Sequence, residues 1–138
     1  MRLAILALAL FFLTPFAWAQ SSSADRARFQ EIINRQISAF KADDSATAFG
    51  FASPDLQAKF GNAAVFMDMV RSGYAPVYRP RSFEFRDVVE HDIGPEQQVF
   101  VIGPDGRAYI AHYMMERQPD GSWRISGCYL EQAQDESV

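Results

Sequence analysis

The chain has 138 residues, with 13 basic and 17 acidic side chains and a formal charge of -4 at pH 7. No cluster of lysine or arginine is available to neutralise phosphate or anionic lipid, which excludes nucleic acid and a basic attachment to membranes. A single cysteine, Cys128, allows no internal disulfide, and two histidines with one thiol, none at metal-ligand spacing, make no zinc site. Aromatics at 14%, including 12 Phe, point to a core or pocket rich in rings, and no cofactor is expected.

The N-terminus reads as a secretory signal peptide. Arg2 supplies a positive start, Leu3 to Leu13 is apolar, and Ala17-Trp18-Ala19 is a small-residue cleavage site. The apolar run is short for a membrane span, which needs about 20 residues. Residues 1–19 are therefore assigned to the signal, 20–24 to a linker, 25–132 to a single domain and 133–138 to a disordered tail. The mature protein is expected to begin near Gln20, to be periplasmic or secreted, and to make no stable membrane insertion once cleaved.

Helices come first. Phe29, Ile32, Ile33, Ile37 and Phe40 make one apolar stripe on a helix from about Asp25 to Lys41. Asp43-Asp44 offers a cap for a shorter helix from Ser45 to about Phe51. In Ser53-Pro54-Asp55 the serine caps, the proline suits the first helical position and the aspartate complements the dipole. Gly61 stops that helix, and Asn62 caps another that ends at Gly73 with Val65, Phe66, Met69 and Val70 inward.

From Ser82 the pattern turns to strands: SFEFRDVVEH, QVFVI, RAYIAHYMMER and SWRISGCYLEQ. Two connections share the form x-P-D-G, at Gly103 to Gly106 and Gln118 to Gly121, where proline presets the turn and glycine takes the left-handed position. The expected fold class is α+β, with the N-terminal helices packed on a curved four-stranded antiparallel meander. Pairing 103 with 107 and 118 with 122 puts Val99, Val101, Tyr109, Ala111, Tyr113, Met115, Trp123, Ile125 and Tyr129 on one face. Phe100, Ile102, Ile110, His112, Met114, Cys128 and Leu130 then occupy the other. Both faces are apolar and the helices cover one, so a homodimer is expected on the second. A one-residue slip would exchange the lists without changing that conclusion.

Phe49 to Pro54 (F-x-F-A-S-P), Phe60-Gly61, Met69-Val70 and Gly73 to Pro80 (G-Y-x-P-V-Y-R-P) resemble an uncharacterised family of short exported proteobacterial proteins, over about Phe29 to Leu130. The resemblance implies a cystatin-like, nuclear-transport-factor-2-like cone in which helices close over a curved sheet. That superfamily hosts isomerases, dehydratases and binding modules, so the fold does not select an activity. The isomerase pattern needs an acidic base with a tyrosine and carboxyl oxyanion hole, and the dehydratase pattern needs paired pocket histidines. Neither carries over to this sequence, and no catalytic residue is transferred.

Three local features carry candidate chemistry. In RSGYAPVYRPRSFEF, Arg79 and Arg81 flank Pro80 beside Tyr74 and Tyr78, which reads either as an anion-binding rim or as a strap between helices and sheet. His112 and Cys128, opposite one another in the register above with Cβ atoms about 5 Å apart, are the one pair able to form a base and nucleophile; as packing, both belong to the core. Met114 and Met115 alternate and cannot share a metal. The leading reading is a non-catalytic exported module binding a small ligand through Tyr74, Tyr78, Arg79, Arg81 and His112. The alternatives are an isomerase, dehydratase or hydrolase using His112 with Cys128 or a carboxylate, and a structural protein-interaction domain.

Overall fold

The computed structural model describes residues 20–134; the expected signal peptide, and residues 135–138 of the expected tail, lie outside them. Helix α1 runs Ser23–Lys41. It starts earlier than its apolar stripe suggests because Ser22, in the expected linker, closes a capping box with Asp25, each side chain accepting the other's backbone N–H at 3.0 Å. Its stripe residues Phe29, Ile32, Ile33, Ile37 and Phe40 are all buried.

Helices α2 (Ser45–Gly50), α3 (Pro54–Phe60) and α4 (Ala63–Gly73) are capped by Asp44, Ser53 and Asn62, each accepting a backbone N–H three residues on. Gly61, at φ 83°, takes the left-handed position that ends α3. The stretch after Gly73 differs from a fully extended strap. Ala75–Tyr78 closes one further helical turn, α5, with Pro76 in its first turn, where a missing N–H costs nothing. The helical turn ends at Arg79, which precedes Pro80 at φ -139° and ψ 62°.

Four strands follow, β1 (Ser82–His91), β2 (Gly94–Ile102), β3 (Ala108–Arg117) and β4 (Trp123–Gln132), in an antiparallel meander of order β1-β2-β3-β4. The x-P-D-G hairpins form as expected. Gly103 N–H donates to Arg107 O at 2.9 Å and Gln118 N–H to Ser122 O at 2.8 Å, with Gly106 and Gly121 at φ 80° and 85°. At the tighter β1–β2 turn, Gly94 has φ 135°, and a Cβ there would lie 2.7 Å from the Met115 carbonyl oxygen, so no side chain fits.

One expected register fails halfway along β4. Met115 pairs with Ile125, but Met114 pairs with Gly127, leaving Ser126 as a bulge whose hydroxyl donates to Met114 O at 3.3 Å. Beyond it every side chain changes face. Cys128 and Leu130 turn to the helix side, and Tyr129 joins His112 on the other, so Cys128 faces Tyr113 and the expected His112–Cys128 pair does not form. A second bulge interrupts β1 between Phe85 and Val88.

The core lies between α1 and the inner sheet face, where Val99, Val101, Ala111, Tyr113, Met115 and Ile125 are buried with the α1 stripe. Burying a side chain of this kind is worth about 1.5–3 kcal/mol. The chain between α2 and α3 pins the upper edge of β4: Ile125 N–H donates to Phe51 O, and Ser53 N–H to Ile125 O, both at 2.8 Å. That pairing stops at the bulge, and the edge from Ser126 to Cys128 opens into a cavity.

Candidate functional site

The cavity, of about 530 Å³, lies between α1, α3, α4, α5 and the lower half of β4. Phe40, Phe60, Phe66, Met69, Val70 and Val77 make most of its helix wall apolar, with Gln36 of α1 the buried polar residue among them. Its sheet wall is made by Tyr113, Ser126, Gly127 and Cys128, so the bulge that reverses β4 also builds the site. The size falls within the roughly 300–1,000 Å³ usual for small-molecule pockets.

Polar groups on this lining are few and uncharged, with one exception. Tyr74 spends its hydroxyl on Cys128 O at 2.9 Å, and burial raises its pKa, with Cys128 adding to the effect. Tyr113 is 1% exposed, and its hydroxyl is buried with no oxygen or nitrogen partner; the Cys128 thiol, a weak acceptor, is the polar group beside it. Burial first, and the neighbouring Cys128 thiol second, push Tyr113 well above 10 and keep it a neutral donor. Burial also pushes the Cys128 thiol up to about 12, although the residue as a whole is only half-buried. Such a thiol is not a nucleophile at neutral pH. The exception is Lys59 on α3, the single charged side chain among the lining residues, exposed and without an ion-pair partner among the described residues.

Of the five residues expected to bind ligand, the structure brings only Tyr74 to this cavity. Tyr78 and Arg79 belong instead to a clasp around Asp43, a residue at φ 52° in the turn between α1 and α2. The Tyr78 hydroxyl donates to Asp43 Oδ1, Arg79 Nη2 donates to Asp43 Oδ2 at 3.0 Å, and Arg79 Nη1 donates to Phe40 O at 2.6 Å. The Arg79 guanidinium lies 4.1 Å from the Tyr78 ring centroid, and Arg71 closes the group on Asp43 at 3.4 Å. The hydrogen bond from Tyr78, ahead of the arginine charges, holds the Asp43 carboxyl below its ordinary value. Arg81 braces the β2–β3 hairpin through Pro104 O at 3.0 Å.

His112 lies on the outer sheet face, 7% exposed, at the centre of a polar network. Its Nδ1 is 3.0 Å from Glu96 Oε2, its Nε2 is 2.8 Å from Glu131 Oε2, and Tyr129 stacks on its ring at 4.2 Å. Glu96, 3% exposed, also meets His91 at 3.2 Å and accepts from Gln98 at 2.8 Å. Burial works to raise Glu96, but hydrogen bonds from His112, Gln98 and His91 outweigh it and hold the carboxyl below 4.5. His112 thus has carboxylate neighbours, one of the pairings expected of it, but on the sheet face away from the cavity.

Sequence reasoning placed Tyr113 on a face without giving it a role, and did not single out Lys59. Nothing in a strand pattern distinguishes a satisfied tyrosine from an orphaned one, and an isolated lysine on a polar helix face carries no signal.

The fold is shared with solved structures of low sequence identity. A cystatin-like protein of unknown function from Nostoc punctiforme matches with a TM-score of 0.54 at 10% identity, covering 87% of this chain and 98% of that one. ActVI-ORFA from Streptomyces coelicolor matches at 0.50 and 16%, covering 85% and 99%, and a Catenulispora acidiphila structure at 0.51 and 16%, covering 79% and 91%. No curated protein matches the chain in sequence. A family model does match residues 22–138, nearly all that follows the N-terminal apolar segment, and the chain belongs to that family, the domain of unknown function DUF4864.

Proposed function

We propose that this protein is a non-catalytic binding module that holds a small, mostly apolar ligand in the cavity between helices and sheet, in the periplasm or outside the cell. One observation carries the reading: the buried Tyr113 hydroxyl has no partner on the wall of a cavity whose lining is mostly apolar. A buried hydroxyl without a partner costs about 1–3 kcal/mol, which a ligand oxygen would recover. The export signal rests on residues 1–19. Native mass spectrometry of protein purified from its own host tests the binding reading. A released small molecule, lost when Leu56→Trp or Met69→Trp fills the cavity, supports it. An empty protein that also fails a screen of apolar compounds sinks it.

A homodimer across the outer sheet face is the partner proposed. Phe100, Ile102, Ile110 and Met114 are only half-buried there and Tyr129 is exposed, although the face is strongly apolar at these positions. Sedimentation should report a dimer that Ile110→Glu dissociates; a monomeric wild type would end this proposal.

A further inference from the structure

The cavity's polar groups are arranged by depth, and the arrangement selects a chemical class of ligand. At the inner wall, Tyr113 is enclosed by Val99, Ala111 and the α1 core, and its free hydroxyl is the one uncommitted tyrosine hydroxyl on the lining. A full negative charge beside it would be stripped of water with no cation in reach, which is far costlier than seating a neutral oxygen. At the rim, Lys59 is exposed and points no ion pair elsewhere; Asp55, one turn earlier on α3, is not within salt-bridge distance. Between the two the wall is mostly phenylalanine, methionine, leucine and valine, broken by Ser126 and by Gln36, whose Nε2 donates to Ala48 O at 3.3 Å. An acidic protein with one cation at the mouth of an apolar cavity disfavours cationic ligands there and leaves that lysine as the counter-ion.

We propose that the ligand is an apolar monocarboxylate with an uncharged oxygen within its body, its carboxylate paired with Lys59 and its inner oxygen accepting from Tyr113. This rests on the reading of the cavity as a binding site. It requires that Tyr113 stay protonated, as its burial ensures.

The test uses the mature chain and four probes of one length: octanoate, octan-1-ol, octylammonium and 5-oxooctanoate, titrated calorimetrically. Octanoate should bind about fivefold more tightly than octan-1-ol, the worth of a good exposed ion pair, and octylammonium should bind most weakly. Lys59→Met should erase the preference for octanoate, and added salt should erode it. The 5-oxo group should add about fivefold over octanoate in the wild type, and nothing in Tyr113→Phe. Equal binding of octanoate and octan-1-ol, or preferences that survive both substitutions, would overturn the ligand class while leaving the cavity reading intact. Binding that neither Leu56→Trp nor Met69→Trp weakens, or no binding by any probe, would overturn the cavity reading and the ligand class with it.

Discussion

The two faces of the sheet treat polar groups in opposite ways. On the outer face, Glu96, His112, Glu131, His91 and Gln98 form a network in which every member has a partner, and a cavity of about 330 Å³ at the β1–β2 turn touches it at His91 alone. On the inner face two groups on paired residues, the Tyr113 hydroxyl and Gln97 Oε1, are buried with none, and Tyr113 lines a cavity of about 530 Å³. The richer cluster of titratable groups is therefore the weaker candidate for a site. A saturated network holds structure, because its donors and acceptors are already engaged; an unspent donor beside open volume has something left to offer a ligand.

The sharpest probe of this contrast is Cys128. With its thiol raised from 9.0 to about 12, the thiolate fraction near pH 8 falls about a thousandfold. Iodoacetamide should label the native protein only as fast as it unfolds. Rapid labelling with an apparent pKa near or below that of a free thiol would restore a nucleophile to the cavity and the enzymatic alternative with it.

Breaking the outer network should cost the most stability. Glu96→Ala takes one partner each from His112, His91 and Gln98, and because His112 keeps Glu131 and His91 is exposed, a loss of about 2 kcal/mol in urea unfolding is expected. A change below measurement error would show that the network is incidental. The same carboxylate sets a pH dependence. Because Glu96 is held below 4.5 in the folded state, its contribution is present above its unfolded value and is lost as pH falls through the folded one. Urea midpoints should therefore drop more steeply below pH 4.5 in the wild type than in Glu96→Gln.

The inner face should respond with the opposite sign. Tyr113→Phe removes an unpartnered hydroxyl and should stabilise the ligand-free protein by about 1 kcal/mol. A loss would mean that the hydroxyl has a partner after all, and would remove the argument for an inner oxygen site. Asp43→Ala, which opens an exposed clasp of two arginines and a tyrosine, should lower the melting temperature least of these.

The α1 stripe, the caps at Asp44, Ser53 and Asn62, the two x-P-D-G hairpins and the α+β order all follow from the sequence. Each depends on residues close together in the chain, where periodicity and turn chemistry act directly. The sequence also limited what any site could be, through one cysteine, two histidines and an acidic balance. It could not place the bulge at Ser126. Both faces of β4 are apolar, so slipping one residue exposes no obvious error in the pattern, and whether Cys128 meets His112 or Tyr113 is settled by packing of the whole sheet. Nor could it tell that Asp43, 36 residues from Arg79, would occupy the strap's arginine. The site followed from the same cause: a donor is unspent only relative to every other group in the folded chain, and that is known only once the tertiary structure has brought them together.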